Sequence, residues 1–178
     1  FFFQHVIEYK EAEDPKNVSI FYKLLYFLYN RKLFILFVYI IEHIFSFILT
    51  LPIPIYKDLM YMLITYFPGA PKFTGCYLRA IYYKKKLKKL APNVLIESGA
   101  LLYHPKGIEL SEFSFIDKNV IIAAFKTKIG RRVHIAPNVI ITGGGEFIIE
   151  DFACIATGSK IITATETLKE GTRSSGPM

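Results

Sequence analysis

Aliphatic residues recur every six positions through the second half of the chain, at Leu110, Ile116 and Ile122, at Ile129, Ile135 and Ile141, and at Ile149, Ile155 and Ile161. A small or β-branched residue follows four places on, at Ser114, Val120, Val133, Val139, Ala153 and Ser159. Three hexads with a narrow companion at each corner predict a tight three-sided coil that buries its faces only against neighbouring coils. The repeat from Leu110 to Ile129 is nineteen residues and from Ile129 to Ile149 twenty. The surplus falls after the third side, predicting loops at residues 103–109, 123–128 and 142–148 stacked on one edge, where solenoids commonly carry function. Ile96, Ala100 and Leu102 supply the second and third sides of an earlier coil. Its first side is expected to be missing and the preceding helix to cap the open end.

The first ninety residues follow a different pattern. Residues 17–50 contain few helix breakers, and residues 33–51 are apolar enough, and long enough as a helix, to reach across ~30 Å of hydrocarbon. Only Glu42 and His43 interrupt that run. Ionisable groups at mid-helix predict a span with a buried polar notch or a helix lying in the interface. For His43, a satisfied internal pair with Glu42 is expected rather than chemistry. Pro52 and Pro54 stop the helix, a second apolar stretch covers residues 55–67, and Pro68-Gly69-Ala70-Pro71 closes it with a turn. A third stretch begins at Phe73 and ends in Tyr82-Tyr83-Lys84-Lys85-Lys86-Leu87-Lys88-Lys89.

Charge sharpens this division. The chain carries a net +7. Residues 1–90 hold thirteen Lys and Arg against six Asp and Glu, while residues 91–178 hold nine of each, so the excess lies wholly in the first half. Twenty-two of the twenty-eight Phe and Tyr lie there too. The chain therefore reads as a helical membrane-associated region, residues 1–91, joined to a mainly β solenoid domain, residues 92–178. Tyr82, Tyr83, Lys84, Lys85, Lys86, Lys88 and Lys89 are the expected contacts with an anionic lipid surface, where rings sit half wet and each Lys gains ~1 kcal/mol. A soluble helical cap with a solvated lysine face is the alternative. Nucleic acid is not the expected partner, because no basic stripe continues into the second half. No cleavable signal is evident. Cys76 and Cys154 are too few for a disulfide framework or a metal site and read as plain buried or half-buried thiols. The chain opens on Phe1 and stops at Met178 within a pattern, so a fragment is expected at both ends.

The stretch Ile129-Gly130-Arg131-Arg132-Val133-His134-Ile135-Ala136-Pro137-Asn138-Val139-Ile140-Ile141 resembles the hexapeptide-repeat acyltransferases, whose fold is a left-handed parallel β-helix. The stretch Cys154-Ile155-Ala156-Thr157-Gly158-Ser159-Lys160-Ile161-Ile162-Thr163-Ala164-Thr165-Glu166 resembles the active-site coil of the maltose and galactoside O-acetyltransferase branch. The likeness covers residues 93–178. The turn, tyrosines and basic run before the coils resemble the membrane-associated lead of polysaccharide-modifying members. It implies transfer of an acetyl or similar group from acetyl-CoA or another acyl-CoA to a hydroxyl or amine of a sugar or glycan acceptor. It also implies a homotrimer with its site between subunits, no metal, and a place on the cytoplasmic face of a membrane, peripheral or single-span. The alternative is an inactive truncated remnant, or a membrane-tethered scaffold or binding module, since the thioester arm in relatives lies along coils beyond Gly176-Pro177-Met178.

In the sugar acetyltransferases a histidine follows the Thr-Ala-Thr, and here Glu166 stands in its place. A carboxylate is a weak base for a sugar hydroxyl unless burial raises its pKa. Glu166 is the first catalytic candidate and His134, beside a coil corner, the second. Thr163, Thr165, Arg173 and Ser174, in or near the loop after Ile161, are the candidate substrate contacts, with Arg173 offering forked donors. His104 sits in the first stacked loop, and His5 has no readable role. Gly143-Gly144-Gly145 lacks the lysine and helix of a phosphate cradle and reads as a corner turn.

Overall fold

The structure, a computed structural model, describes residues 27–28, 31–67, 74–169 and 172–177, with side chains described as far as Ala164. His5 and the turn at residues 68–71 lie outside them. Among the described residues three helices precede the solenoid: α1 (Lys32–Leu49), α2 (Pro54–Tyr66) and α3 (Thr74–Tyr83). Pro54 opens α2 at its first turn, where a missing N–H costs nothing.

Twelve short strands then wind into three parallel sheets, one for each side of a prism. The first side holds β1 (Lys89–Leu90), β4 (Ile108–Leu110), β7 (Lys126–Ile129) and β10 (Glu146–Ile149). The second holds β2 (Leu95–Ile96), β5 (Phe115–Ile116), β8 (His134–Ile135) and β11 (Cys154–Ile155). The third holds β3 (Leu101–Leu102), β6 (Ile121–Ile122), β9 (Ile140–Thr142) and β12 (Lys160–Ile162). This is a parallel β-solenoid of the left-handed β-helix kind, about four turns long. Its axis is filled by the six-residue repeat: Leu110, Ile116, Ile122, Ile129, Ile135 and Ile141 are all fully buried. Each such side chain is worth about 1.5–3 kcal/mol of burial. Ile149, Ile155 and Ile161 of the fourth turn pack on this column and are partly buried.

Two corners of every turn use left-handed backbone. Positive φ occurs at Asn93, Phe113, Arg132 and Phe152 before the second side, and at Gly99, Asn119, Asn138 and Gly158 before the third. At these corners the amide bonds back to the preceding turn, as in Arg132 N to Glu112 O (3.0 Å) and Asn138 N to Lys118 O (3.0 Å). Along the strands the bonding runs forward, as in Phe115 N to Val133 O (2.8 Å) and His134 N to Ala153 O (3.1 Å). The third edge has no such rule and absorbs the surplus residues. Backbones there stack so closely that a Cβ on Gly107 would lie 1.9 Å from Phe125 O, and one on Gly145 would lie 1.9 Å from Thr163 O.

Three expectations need correction. The loops are shorter than predicted, because residues 108–110, 126–129 and 146–149 are already strand, leaving turns of only a few residues. The first side of the first coil is present, since Lys89 and Leu90 pair with Glu109 and Leu110. Glu42 and His43 do not pair: Glu42 turns inward to Lys84 Nζ (2.7 Å), whereas His43 bonds Tyr39 O one turn back (2.8 Å). The helical cap itself is as expected. Fully buried Arg79 of α3 donates from Nε to Ile96 O (2.6 Å), and Gly99 N donates to Thr65 O (2.8 Å), so the helices satisfy backbone groups at the open end of the coil.

Candidate functional site

The second side of the prism carries the most chemically capable cluster. Because side chains alternate along a strand, burying Ile96, Ile116, Ile135 and Ile155 turns Leu95, Phe115, His134 and Cys154 outward. Those four are in register as one column across the turns. Leu95 at its start is sealed under Cys76 and Tyr77 of α3. The column then opens progressively. The Phe115 and His134 rings stack with centroids 5.0 Å apart and planes 8° apart, and Cys154 is exposed.

His134 is held from a second direction. Its Nε2 lies 3.2 Å from Asp117 Oδ2, and the other oxygen of that carboxylate accepts from Lys118 N (2.7 Å). Asp117 is the more buried partner, with a side chain 17% exposed against 42% for His134. A carboxylate only accepts, so this contact places a proton on Nε2, and in the neutral ring Nδ1 is then the acceptor. Nδ1 faces Cys154 Sγ at 4.0 Å. Carboxylate, imidazole and thiol thus stand in order across three successive turns. Ala156, Thr157 and Gly158 beyond Cys154 are small and exposed, and a Cβ built on Gly158 meets nothing within 4 Å.

The other predicted residues are placed differently. Thr163 is nearly buried and its hydroxyl serves the third edge, donating to Thr142 O (3.0 Å) and accepting from Gly145 N (3.2 Å), so it holds the turn together. Thr165 and Glu166 lie on β13 (Ala164–Lys169), and Arg173 and Ser174 on β14 (Thr172–Pro177); these form an antiparallel hairpin where a long loop was expected. Glu166 pairs with Ser175, and Ser174 with Thr167, in its register. Their side chains lie outside the described residues. His104 packs edge-on to Phe125 on the third edge, with centroids 4.6 Å apart.

The tyrosine and lysine run is mostly turned inward. Tyr82 and Tyr83 are 1% and 2% exposed and sit in the core, so they cannot present rings to lipid. Burial pushes the Tyr82 hydroxyl up to about 12 and raises Tyr83 further. Lys84 pairs with Glu42, and Lys86 bonds the Tyr82 hydroxyl while burial lowers its pKa. Lys88 pairs with Glu109 (2.6 Å), which raises the lysine and lowers the acid. Lys85 lies over the Phe47 ring (4.7 Å), and Lys89 is exposed on β1. A cavity of about 190 Å³ opens beside the Glu42 and Lys84 pair, between α1, α3 and residues 90–94.

Asp117 and Cys154 were not read from the sequence as site residues. The signal was available: a nineteen- to twenty-residue period places residue 154 directly over 134, and 117 lies two positions beyond 115, the next outward place. No family model, curated protein or solved structure matches the chain.

Proposed function

We propose that this protein is an acyltransferase that moves an acetyl or similar group from a coenzyme A thioester to a hydroxyl or amine of a sugar or glycan at a membrane surface. The observation that carries the reading is His134 on the outer face of the solenoid, its Nε2 fixed by Asp117 and its Nδ1 facing the exposed Cys154. A neutral imidazole with one nitrogen tied to a carboxylate can accept a proton at the other, as a general base in acyl transfer must. His134 therefore takes first place as base ahead of Glu166. Thr165, Arg173 and Ser174 of the hairpin remain the proposed acceptor contacts, and a second and third copy of the chain complete the site, as the resemblance implies.

The membrane half of the reading moves from the lysine run to α1 and α2. The 18-residue window of α1 is only 11% buried, and Leu36, Phe37, Ile40, Ile44, Ile55 and Met62 all point outward. An apolar face of this size is far more than a soluble surface carries singly. Glu42 at the middle of α1 is tied to Lys84 and Tyr77 beside the solenoid, so α1 lies along the interface with its apolar face in lipid.

The test is release of coenzyme A thiol from acetyl-CoA by the whole protein in the presence of a panel of sugar and amino-sugar acceptors. The expected result is acceptor-dependent release that falls about 100-fold or more in His134→Gln and stays within a few-fold in Glu166→Gln. Multiple-turnover release that is independent of every acceptor overturns the reading.

A further inference from the structure

We infer that Cys154 is a covalent acyl carrier: the group taken from the thioester rests on its Sγ before it reaches the acceptor. This rests on the acyl-transfer reading and changes its route, which otherwise needs no enzyme-bound intermediate. The argument is geometric. The thiol is exposed, sits in register beside His134, and faces the imidazole nitrogen that Asp117 leaves as acceptor. A nucleophile, a base and a group that orients the base, in that order, are the recurring parts of an activated thiol. The Phe115 ring stacked on the imidazole holds its plane, so Nδ1 stays directed at the sulfur. The small residues after Cys154 leave room for a bulky thioester to approach.

The steps balance without oxidant or reductant. His134 Nδ1 takes the Cys154 thiol proton, the thiolate attacks the thioester carbonyl carbon, and the bond from that carbon to the coenzyme A sulfur breaks. The departing thiolate takes the proton back from His134. One thioester has replaced another, so the exchange is close to thermoneutral. The acceptor hydroxyl or amine then attacks the acyl carbon while His134 removes its proton. Release of Cys154 takes up that proton and restores the thiol.

The second cysteine is a built-in control. Cys76 is fully buried between α3, to which it belongs, and Leu95 of the coil, its thiol bonds Glu97 Oε1 (3.2 Å), and burial together with that carboxylate pushes it up to about 12. A thiol so placed is inert.

The experiment is intact-mass spectrometry and peptide mapping of the whole protein after incubation with acetyl-CoA alone. The expected result is one acetyl group on Cys154 and none on Cys76, removable by neutral hydroxylamine, with an equal amount of coenzyme A released. His134→Gln and Asp117→Asn slow its formation at least tenfold and flatten the pH profile of Cys154 alkylation by iodoacetamide, which a merely structural role would not do. Acetylation of Cys154 no faster than in His134→Gln overturns the inference. If Cys154→Ala folds with an unchanged Tm and still acetylates sugars at the wild-type rate, the covalent step is overturned while the acyl-transfer reading stands. If acetyl-Cys154 forms but passes to no sugar or amino sugar, the carrier is supported and the sugar reading fails.

Discussion

The two halves of this molecule are held together by opposite strategies. In the solenoid each turn repeats the same three inward aliphatics, so stability is distributed and approximately the sum of turns and their interfaces. In the helical cap a few individually placed polar contacts, chiefly those of Arg79 and the Glu42 and Lys84 pair, fix three helices, of which α1 and α2 leave much of their apolar surface outside. The solenoid is redundant, and the cap depends on single residues.

The sharpest way to break that contrast is Arg79→Met. Arg79 is fully buried and serves Ile96 O, Phe67 O and the Glu97 carboxylate, which all lose its guanidinium together. A cost of about 3–5 kcal/mol is expected, as for a buried charge pair deprived of one member. Denaturant unfolding should show the loss, and limited proteolysis should cut between the helices and the coil while the coil survives. Next comes Ile122→Ala at the centre of the column, with an expected cost of about 2–4 kcal/mol. Ile161→Ala on the partly buried fourth turn should cost clearly less; equal losses would mean that the turns do not behave as a one-dimensional stack.

The contrast also explains what could be read from residues alone. Hexads announce themselves because every turn needs the same residue type at the same place, and the inward set matched from Ile96 to Ile161. The corners carried a signal too, in Asn93, Asn119, Asn138, Gly99 and Gly158, residue types that tolerate positive φ. The cap had no such redundancy. That Tyr82 and Tyr83 face the core, and that Lys84 reaches Glu42 forty-two residues away, depends on helix packing that a basic and aromatic run does not encode. The site was half legible: His134 stood out by type, whereas Asp117 and Cys154 join it only once the period is used to stack one turn on another.

Alkaline titration should separate the halves without mutation. Cys76 and Tyr82 are both neutral in the fold, with pKa values pushed up to about 12 by burial from ordinary values of 9.0 and 10.0. Unfolded chains release these protons first, so the stabilisation is complete below pH 9 and falls as pH rises towards 12. Both groups belong to α3, so the cap should loosen in that window before the coil does. Tyrosinate absorbance followed beside far-ultraviolet dichroism checks the order, and Cys76→Ala with Tyr82→Phe should blunt the response.

A smaller effect is expected at the corners. Asn138 has φ of +60° and its Oδ1 accepts from Asn119 Nδ2 (3.3 Å), so Asn138→Ala should cost about 1–2 kcal/mol in thermal unfolding. Phe152 is 64% exposed at φ of +64°, and Phe152→Gly should be tolerated or stabilising, because glycine removes the left-handed penalty.

The smallest effect on stability should accompany a large effect on location. Phe37 and Ile44 on α1 are 59% and 53% exposed, so replacing both with Ser removes little packing and should alter unfolding by no more than about 0.5 kcal/mol. If α1 lies in lipid, the same change removes two anchors, each worth about 1.5–3 kcal/mol on full burial. Co-sedimentation with phosphatidylcholine vesicles containing phosphatidylserine should then fall at least tenfold. Raising salt should weaken binding only modestly, because the apolar face of α1 carries the contact and two of the five lysines, Lys84 and Lys88, are already paired within the protein. Binding that survives the double substitution but disappears in salt would return the membrane contact to the basic residues. Unchanged binding in both would leave the apolar face of α1 to a protein partner, and the cap would be an assembly surface, not an anchor.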